Sequence, residues 1–174
     1  MRKNNFKKYI YDVPDFPIKG VMFRDITPLL QDATSFNRLI NVFVKEAKKI
    51  KKIDVVMGID ARGFLFASAV AYALKKGLAI IRKPGKLPRK TVKQVFSLEY
   101  GSSIFEAHTD SIKKGQNVLI IDDVLATGGS AFASAKIVEK LGGKVAKIMF
   151  LIEIKEFGGR KKLRKYDIFS ALTF

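Results

Sequence analysis

The stretch "VLIIDDVLATGGS", residues 118–130, sets the fold and the chemistry together. Its first four residues, Val118, Leu119, Ile120 and Ile121, form an apolar run that reads as a strand buried on both faces. Two carboxylates follow at once, Asp122 and Asp123. Ala126, Thr127, Gly128, Gly129 and Ser130 then open a helical run. A glycine-rich turn between a strand and a helix offers an anion several backbone N–H groups and the positive end of the helix. Thr127 and Ser130 add hydroxyl donors. The loop lacks the lysine of a triphosphate-binding loop and the G-x-G-x-x-G spacing of a dinucleotide fold, and its size suits a phosphate monoester. Ionised carboxylates only accept hydrogen bonds, so the acid pair suits hydroxyl groups. A ribose 5-phosphate meets both needs, with its phosphate in the loop and its diol on the acids. The plainer reading, a strand end and an ordinary Gly-Gly turn, explains the glycines alone but not the order of acids, nest and helix.

Working outward, strands and helices alternate. "DATSFNRLINVFVKEAKKIKK" (32–52) opens with capping residues and places Phe36, Leu39, Ile40, Phe43 and Val44 at helical spacing. "IDVVMGID" (53–60) predicts a buried strand, "RGFLFASAVAYALKKG" (62–77) a helix ending at Gly77, and "LAIIRK" (78–83) another strand. "QNVLIIDD" (116–123) is a third strand, and residues 128–143 a helix closed by Gly142 and Gly143. "KVAKIMFLIEI" (144–154) is a fourth strand, and "YDIFSALTF" (166–174) a last one. This alternation predicts an α/β fold, a mostly parallel sheet covered by helices. Ligands of such sheets sit beyond the carboxyl ends of the strands. Three predicted strands end in polar groups: Asp60-Ala61-Arg62, Arg82-Lys83 and Asp122-Asp123. Residues 84–108, with two prolines and two glycines, fit no element and read as a long functional loop. No repeat or linker divides the chain, so a single domain over residues 1–174 is expected.

Composition narrows the classes. No apolar run approaches the about 18–20 residues that span a bilayer. Cysteine is absent, which excludes disulfides, thiolate metal sites and thiol nucleophiles. The basic N-terminus, "MRKNNFKKYIYDVPDF", is followed by acids and Pro14 where a signal peptide would be apolar, so a cytoplasmic protein is expected. Lys and Arg number 33 against 16 acids, a net charge of +17 that invites a nucleic-acid partner. Much of that excess is lysine on helix surfaces, such as Lys45, Lys48, Lys49, Lys51 and Lys52, where cations also suit the negative end of a helix. A phosphate-rich small substrate is served by the same field, and nucleic acid is disfavoured as the main partner.

The motif at 118–130 resembles the phosphoribosyl-pyrophosphate motif of the type I phosphoribosyltransferase family. "DFPIKGVMFRDITPLL" (15–30), "MGIDARGFLF" (57–66), "IRKPGKLPRKT" (81–91) and "SLEYG" (97–101) resemble the adenine-using members of that family, in the same order. The resemblance implies the family's fold, with an N-terminal base-binding segment and a mobile hood. It also implies the conversion of adenine and 5-phosphoribosyl 1-pyrophosphate to AMP and pyrophosphate, with Mg²⁺, in a homodimer.

Roles follow from the same resemblance. Asp122 and Asp123 would bind the ribose hydroxyls, and Ala126, Thr127, Gly128, Gly129 and Ser130 the 5-phosphate. Asp60, Ala61, Arg62, Arg82, Lys83 and Lys86 would bind pyrophosphate, with some of these cations acting across a dimer interface. The family's cis peptide bond would fall at Asp60–Ala61. Glu99 and Tyr100 lie in the hood, Glu99 as the acid/base residue at the purine. Arg62, Glu99 and Tyr100 make up the expected catalytic set. Phe23 would stack on adenine beside Val21 and Arg24, with Ile154 on the other side. Two positions depart from the common pattern: Ser130 replaces Thr and keeps the hydroxyl, while Ala61 replaces Ser and loses one. His108, the lone histidine, matches no motif position and reads as a structural or surface residue. Two other readings stand beside this one: a regulator of the same fold that binds nucleic acid, and the same transferase acting on another purine such as xanthine.

Overall fold

Short runs rich in Val, Ile and Leu build the central sheet, because residues with no polar side chain can be buried on both faces of a parallel strand. The computed structural model describes residues 6–97 and 102–174. The elements in chain order begin with β1 (Tyr11–Val13), β2 (Phe23–Asp25), α1 (Thr27–Gln31), α2 (Ala33–Ala47), β3 (Val55–Ile59), α3 (Gly63–Leu74) and β4 (Gly77–Ile81). They continue with β5 (Thr91–Ser97), β6 (Ser102–His108), β7 (Asn117–Leu125), α4 (Gly129–Lys140), β8 (Lys144–Glu153), α5 (Gly159–Lys162) and β9 (Ile168–Thr173). They form two compact units, Met1–Val42 and Phe43–Phe174.

In the first unit β1 and β2 pair antiparallel, Val13 opposite Phe23 and Asp12 opposite Arg24. The turn between them contains a cis Phe16–Pro17 bond, and the Asp15 carboxylate accepts the Gly20 N–H at 2.7 Å. The start of α2 is capped as its sequence predicts: Asp32 Oδ1 accepts the Ser35 N–H at 2.7 Å.

In the second unit five strands run parallel in the order β4-β3-β7-β8-β9. α3 approaches β3 closely because Gly58 has no side chain: a Cβ there would lie 2.9 Å from the Ala67 Cβ. Met57, Ile59, Ile120, Ile148 and Phe150 join Ile137 and Val138 of α4 in one core cluster. Phe43 of α2 meets Phe66 and Phe169 edge-on, with ring centroids 6.2 and 6.4 Å away. Lys147, on β8, sends its Nζ to Glu46 at 2.6 Å and to Asp167 at 3.0 Å, tying α2 to the turn before β9.

Three expectations are corrected. Residues 91–97 and 102–108 form an antiparallel hairpin, β5–β6, where the sequence read a loop. Its alternation is masked by Glu106, a buried acid held by Lys93 at 3.0 Å, while Phe96 and Phe105 supply the packing at 4.8 Å between rings. α3 stops at Leu74 with Lys75 in the left-handed conformation, φ 55°, and Gly77 instead opens β4. β7 continues beyond the acid pair to Leu125, because Val124 and Leu125 pair with Ile152 and Glu153. Asp122 and Asp123 therefore sit inside a paired strand.

Candidate active site

β3, β4, β7 and β8 run parallel and end on one edge of the sheet, where Asp60, Arg62, Arg82, Asp122 and Asp123 lie. β3 ends at Ile59, and the Asp60–Ala61 peptide that follows is cis. Asp60 donates its N–H to the Ile81 carbonyl at 3.0 Å. Its carboxylate takes the Arg82 Nε at 3.1 Å and the Lys83 backbone N–H at 3.4 Å. Arg82 is held further by its backbone, which exchanges hydrogen bonds with Glu106 at 2.9 and 2.8 Å. Lys83 and Lys86 are exposed. The expected pyrophosphate residues thus divide: Asp60, Ala61, Arg62, Arg82 and Lys83 gather at the ends of β3 and β4, and Lys86 lies further along the connection to β5.

Arg62 is the N-cap residue of α3, and its Nε lies 2.6 Å from Asp123 Oδ2. Asp123 is buried, 6% exposed, and the guanidinium lies against its side chain. Asp122 has a different environment. Its Oδ1 accepts the Asp123 N–H at 2.9 Å. A Cβ on Gly63 would come within 2.9 Å of that same oxygen and 2.8 Å of the Ile121 carbonyl, so the bare glycine backbone is what lets α3 close over the acid. Burial pushes the Asp122 carboxyl well above the usual carboxylate range, and the neighbouring Asp123 charge raises it further. The sequence treated the two acids as equivalent; packing separates them into a carboxylate paired with Arg62 and a covered carboxyl under Gly63.

Beyond Leu125 the chain folds into the glycine turn. Gly128, φ 77°, caps α4 from the left-handed region, where glycine carries no steric cost. Residues 124–131 and Phe150 surround a cavity of about 70 Å³. That volume suits one small oxyanion, in keeping with a monoester site. The first N–H groups of α4 lack partners within the helix and point their dipole at this space. A larger cavity, about 300 Å³, lies at the opposite edge of the sheet among Lys48, Lys51, Lys52 and Lys76. Those lysines stand at the carboxyl ends of α2 and α3, where they balance the negative helix ends.

Ile154 directly follows β8 and donates its N–H to the Leu125 carbonyl at 2.9 Å. Val21, Phe23 and Arg24 belong to the first unit. Val21 uses its N–H and carbonyl in the preceding turn, to Ile18 and from Phe16, each at 3.2 Å. Phe23 packs edge-on against Phe16, 5.0 Å between centroids, and Arg24 is ion-paired to Asp12. Glu99 and Tyr100 lie outside the described residues. His108 closes β6 opposite Thr91. Sequence reasoning missed Gly63, Glu153, Gly159 and Arg160. The only local sign of the last two is the "GGR" at 158–160, a third Gly-Gly pair with no motif around it.

Among the described residues no group of three or more His, Cys, Asp or Glu side chains could hold a metal, and the acid pair is already committed to Arg62 and to burial under Gly63. Such a donor set fits Mg²⁺ carried on substrate oxygens and water, the mode this ion favours at phosphate sites, and not a cage of side chains. No helix among the described residues is long and apolar enough to cross a membrane.

Comparison with known proteins places this architecture. A family model described as the phosphoribosyl transferase domain matches residues 31–172. The adenine phosphoribosyltransferase of Geobacter metallireducens is 48% identical over 171 residues, covering 98% of this chain and 99% of its own. That of Thermoanaerobacter sp. strain X514 is 49% identical over 174 residues, the full length of both. The crystal structure of the Thermoanaerobacter pseudethanolicus adenine phosphoribosyltransferase matches with a TM-score of 0.94 at 48% identity, covering 97% of this chain and 98% of that one. The Saccharomyces cerevisiae enzyme, crystallised with an imino-altritol bisphosphate and adenine, gives a TM-score of 0.91 at 37% identity, covering 97% of each chain. These relatives favour neither the nucleic-acid-binding regulator nor the xanthine-using transferase. By its sequence and its fold alike, the chain belongs to the phosphoribosyl transferase family, among the adenine phosphoribosyltransferases.

Proposed function

We propose that the protein transfers the 5-phosphoribosyl group of phosphoribosyl pyrophosphate to adenine, releasing AMP and pyrophosphate, as a cytoplasmic, magnesium-dependent homodimer. The observation that carries this reading is the continuous β7–turn–α4 unit. It sets a buried, Arg-paired carboxylate beside a cavity of about 70 Å³ at a helix N-terminus. That pairing matches a sugar with a hydroxyl-bearing ring and one terminal phosphate. The choice of adenine rests on relatives of nearly half identity along the whole chain.

In this reading Ala126, Thr127, Gly128, Gly129 and Ser130 hold the 5-phosphate, and Asp123 and Asp122 meet the ribose hydroxyls. Arg62, with Arg82, Lys83 and Lys86, binds the pyrophosphate and offsets its charge as the bond to the anomeric carbon breaks. The purine ring nitrogen forms the new bond to that carbon, and Glu99, beside Tyr100, handles the proton the base gives up. Mg²⁺, when bound through substrate oxygens, adds further charge neutralisation on the leaving group. Phe23 stacks on the base, with Val21, Arg24 and Ile154 around its edge. Leu65 and Tyr72 of α3 and Leu78 of the edge strand β4 are exposed apolar side chains whose burial by a second copy of the chain would favour the homodimer.

The test is to incubate the protein with phosphoribosyl pyrophosphate, Mg²⁺ and each purine in turn and follow nucleotide by chromatography. AMP from adenine alone is the expected result. Nucleotide from a different base moves the base pocket, and no nucleotide from any base overturns the reading.

A further inference from the structure

We propose that Glu153 and Arg160 are positioning residues for the 5-phosphate turn, acting through the backbone of Gly159; this rests on the reading of residues 126–130 as the phosphate site. Gly159 is the first residue of α5, in the connection between β8 and β9. A Cβ on it would sit 2.2 Å from the Ala126 carbonyl oxygen, 2.8 Å from Leu125 Cδ1 and 3.0 Å from the Gly128 nitrogen. The contact is mutual: a Cβ on Gly128 would meet the Gly159 carbonyl oxygen at 2.8 Å. Two of the three atoms facing Gly159 are backbone of the phosphate turn. Two glycine backbones therefore press together with no side chain between them, and the far wall of the turn is the α5 strap. Any shift of Gly159 is passed to Ala126 and Gly128 without a flexible side chain to absorb it.

The strap is fixed by the residue next to Gly159. Arg160 makes a two-point fork on Glu153, Nε to Oε1 at 2.7 Å and Nη2 to Oε2 at 2.8 Å. Such a fork fixes direction as well as distance, which a single contact cannot do. Glu153 is itself set by the sheet. It pairs with Leu125, the last residue of β7 before the turn, and its carbonyl accepts the Phe174 N–H at 2.9 Å. Its side chain is 9% exposed, and the hydrogen bonds from Arg160 hold its carboxyl below the usual range against the opposing effect of burial. At the other end of the strap Leu163 is fully buried in the core, and its N–H reaches the Arg160 carbonyl at 3.1 Å and the Gly159 carbonyl at 3.3 Å. Gly159 is thus clamped between a forked ion pair and a buried leucine, and both sides of the phosphate turn, Leu125 and Gly128, are referenced to the same two residues.

A merely structural pair would stabilise the β8–β9 connection and affect all ligands alike. A positioning pair affects ligands that carry a 5-phosphate and spares those that do not. The experiment measures binding of phosphoribosyl pyrophosphate, AMP and free pyrophosphate by calorimetry, with Mg²⁺ present, to wild type, Arg160→Met and Arg160→Lys. Folding of each is checked by thermal melting. Arg160→Met is expected to weaken phosphoribosyl pyrophosphate and AMP about tenfold, to leave pyrophosphate within about twofold, and to raise KM more than it lowers kcat. Arg160→Lys keeps the charge but not the fork and is expected to show a smaller loss of the same selectivity; should the Met variant not fold, it decides alone. Equal weakening of all three ligands, or none in a folded variant, overturns the proposal while leaving the transferase reading intact. Wild-type protein that binds neither 5-phosphate ligand overturns both.

Discussion

Arg62 Nε lies 2.6 Å from Asp123 Oδ2, joining the first turn of α3 to the carboxyl end of β7. The pair links a residue proposed for pyrophosphate with one proposed for the sugar, so a change at either partner reaches both proposed subsites. Asp123→Asn keeps the shape, weakens the hold on Arg62 and removes the charged acceptor for a ribose hydroxyl. KM for phosphoribosyl pyrophosphate is expected to rise about tenfold or more, since hydrogen bonds to charged groups are worth about 1.5–3 kcal/mol. Free pyrophosphate should bind as well as to wild type or better. Steady-state kinetics and calorimetry check the two halves, and an unchanged KM removes Asp123 from the site.

Asp122 is expected to respond in the opposite sense on stability. Its folded carboxyl is raised above the ordinary 3.8 by burial and by Asp123, so the native state holds a proton that the unfolded chain releases. Wild-type stability therefore falls as pH rises from about 3.8 through the raised value. Asp122→Asn keeps an oxygen for the Asp123 N–H and removes this titration. Melting temperatures of the variant at neutral pH should equal or exceed those of wild type, with the gap closing in acid. A variant that is less stable at neutral pH and level with wild type in acid contradicts the assignment.

Glu99→Gln tests the proton-handling role. General acid–base groups contribute about 10²–10⁴-fold, so kcat should fall by at least about a hundredfold with little change in melting temperature or in the KM for phosphoribosyl pyrophosphate. A wild-type rate shows that Glu99 carries no proton.

The Lys147 cluster is expected to act on stability. Glu46 is held below its ordinary 4.5 by hydrogen bonds from Lys147 and then Lys49, so its contribution is present above 4.5 and lost as acid takes the pH down through the folded value. Lys147 is raised above 10.5: burial acts against it, but the hydrogen bonds to Glu46 and Asp167 prevail, and its contribution fades as pH climbs past that value. Lys147→Met strips a nearly buried acid of one partner and should cost about 2–3 kcal/mol in urea unfolding at neutral pH. Glu46→Gln should flatten the loss of stability as the pH falls below 4.5. Equal acid limbs for variant and wild type reject the pairing as a source of stability.

Much of the architecture was legible in local pattern. The apolar runs at 53–60, 116–123 and 144–154 are strands, and 62–77 and 128–143 are helices, with ends that moved by a few residues. The end of α3 moved because Lys75 accepted a left-handed backbone that the sequence assigned to glycine. The β5–β6 hairpin stayed hidden because prolines and glycines dominate its surroundings, and because the buried acid Glu106 finds its partner, Lys93, on the other strand.

The sequence by itself determined the alternation of elements, the acid pair followed by a glycine turn, and the family, because each is written in neighbouring residues and in short periods of two or three to four. Tertiary structure alone decided which acid meets Arg62 and which is covered by Gly63. It also decided that Gly159 packs directly against the backbone of Ala126 and Gly128. The reason is physical. Burial, ion pairing and close backbone approach depend on atoms brought together from distant parts of the chain, and their energies exist only once the sheet has set those atoms a few ångströms apart.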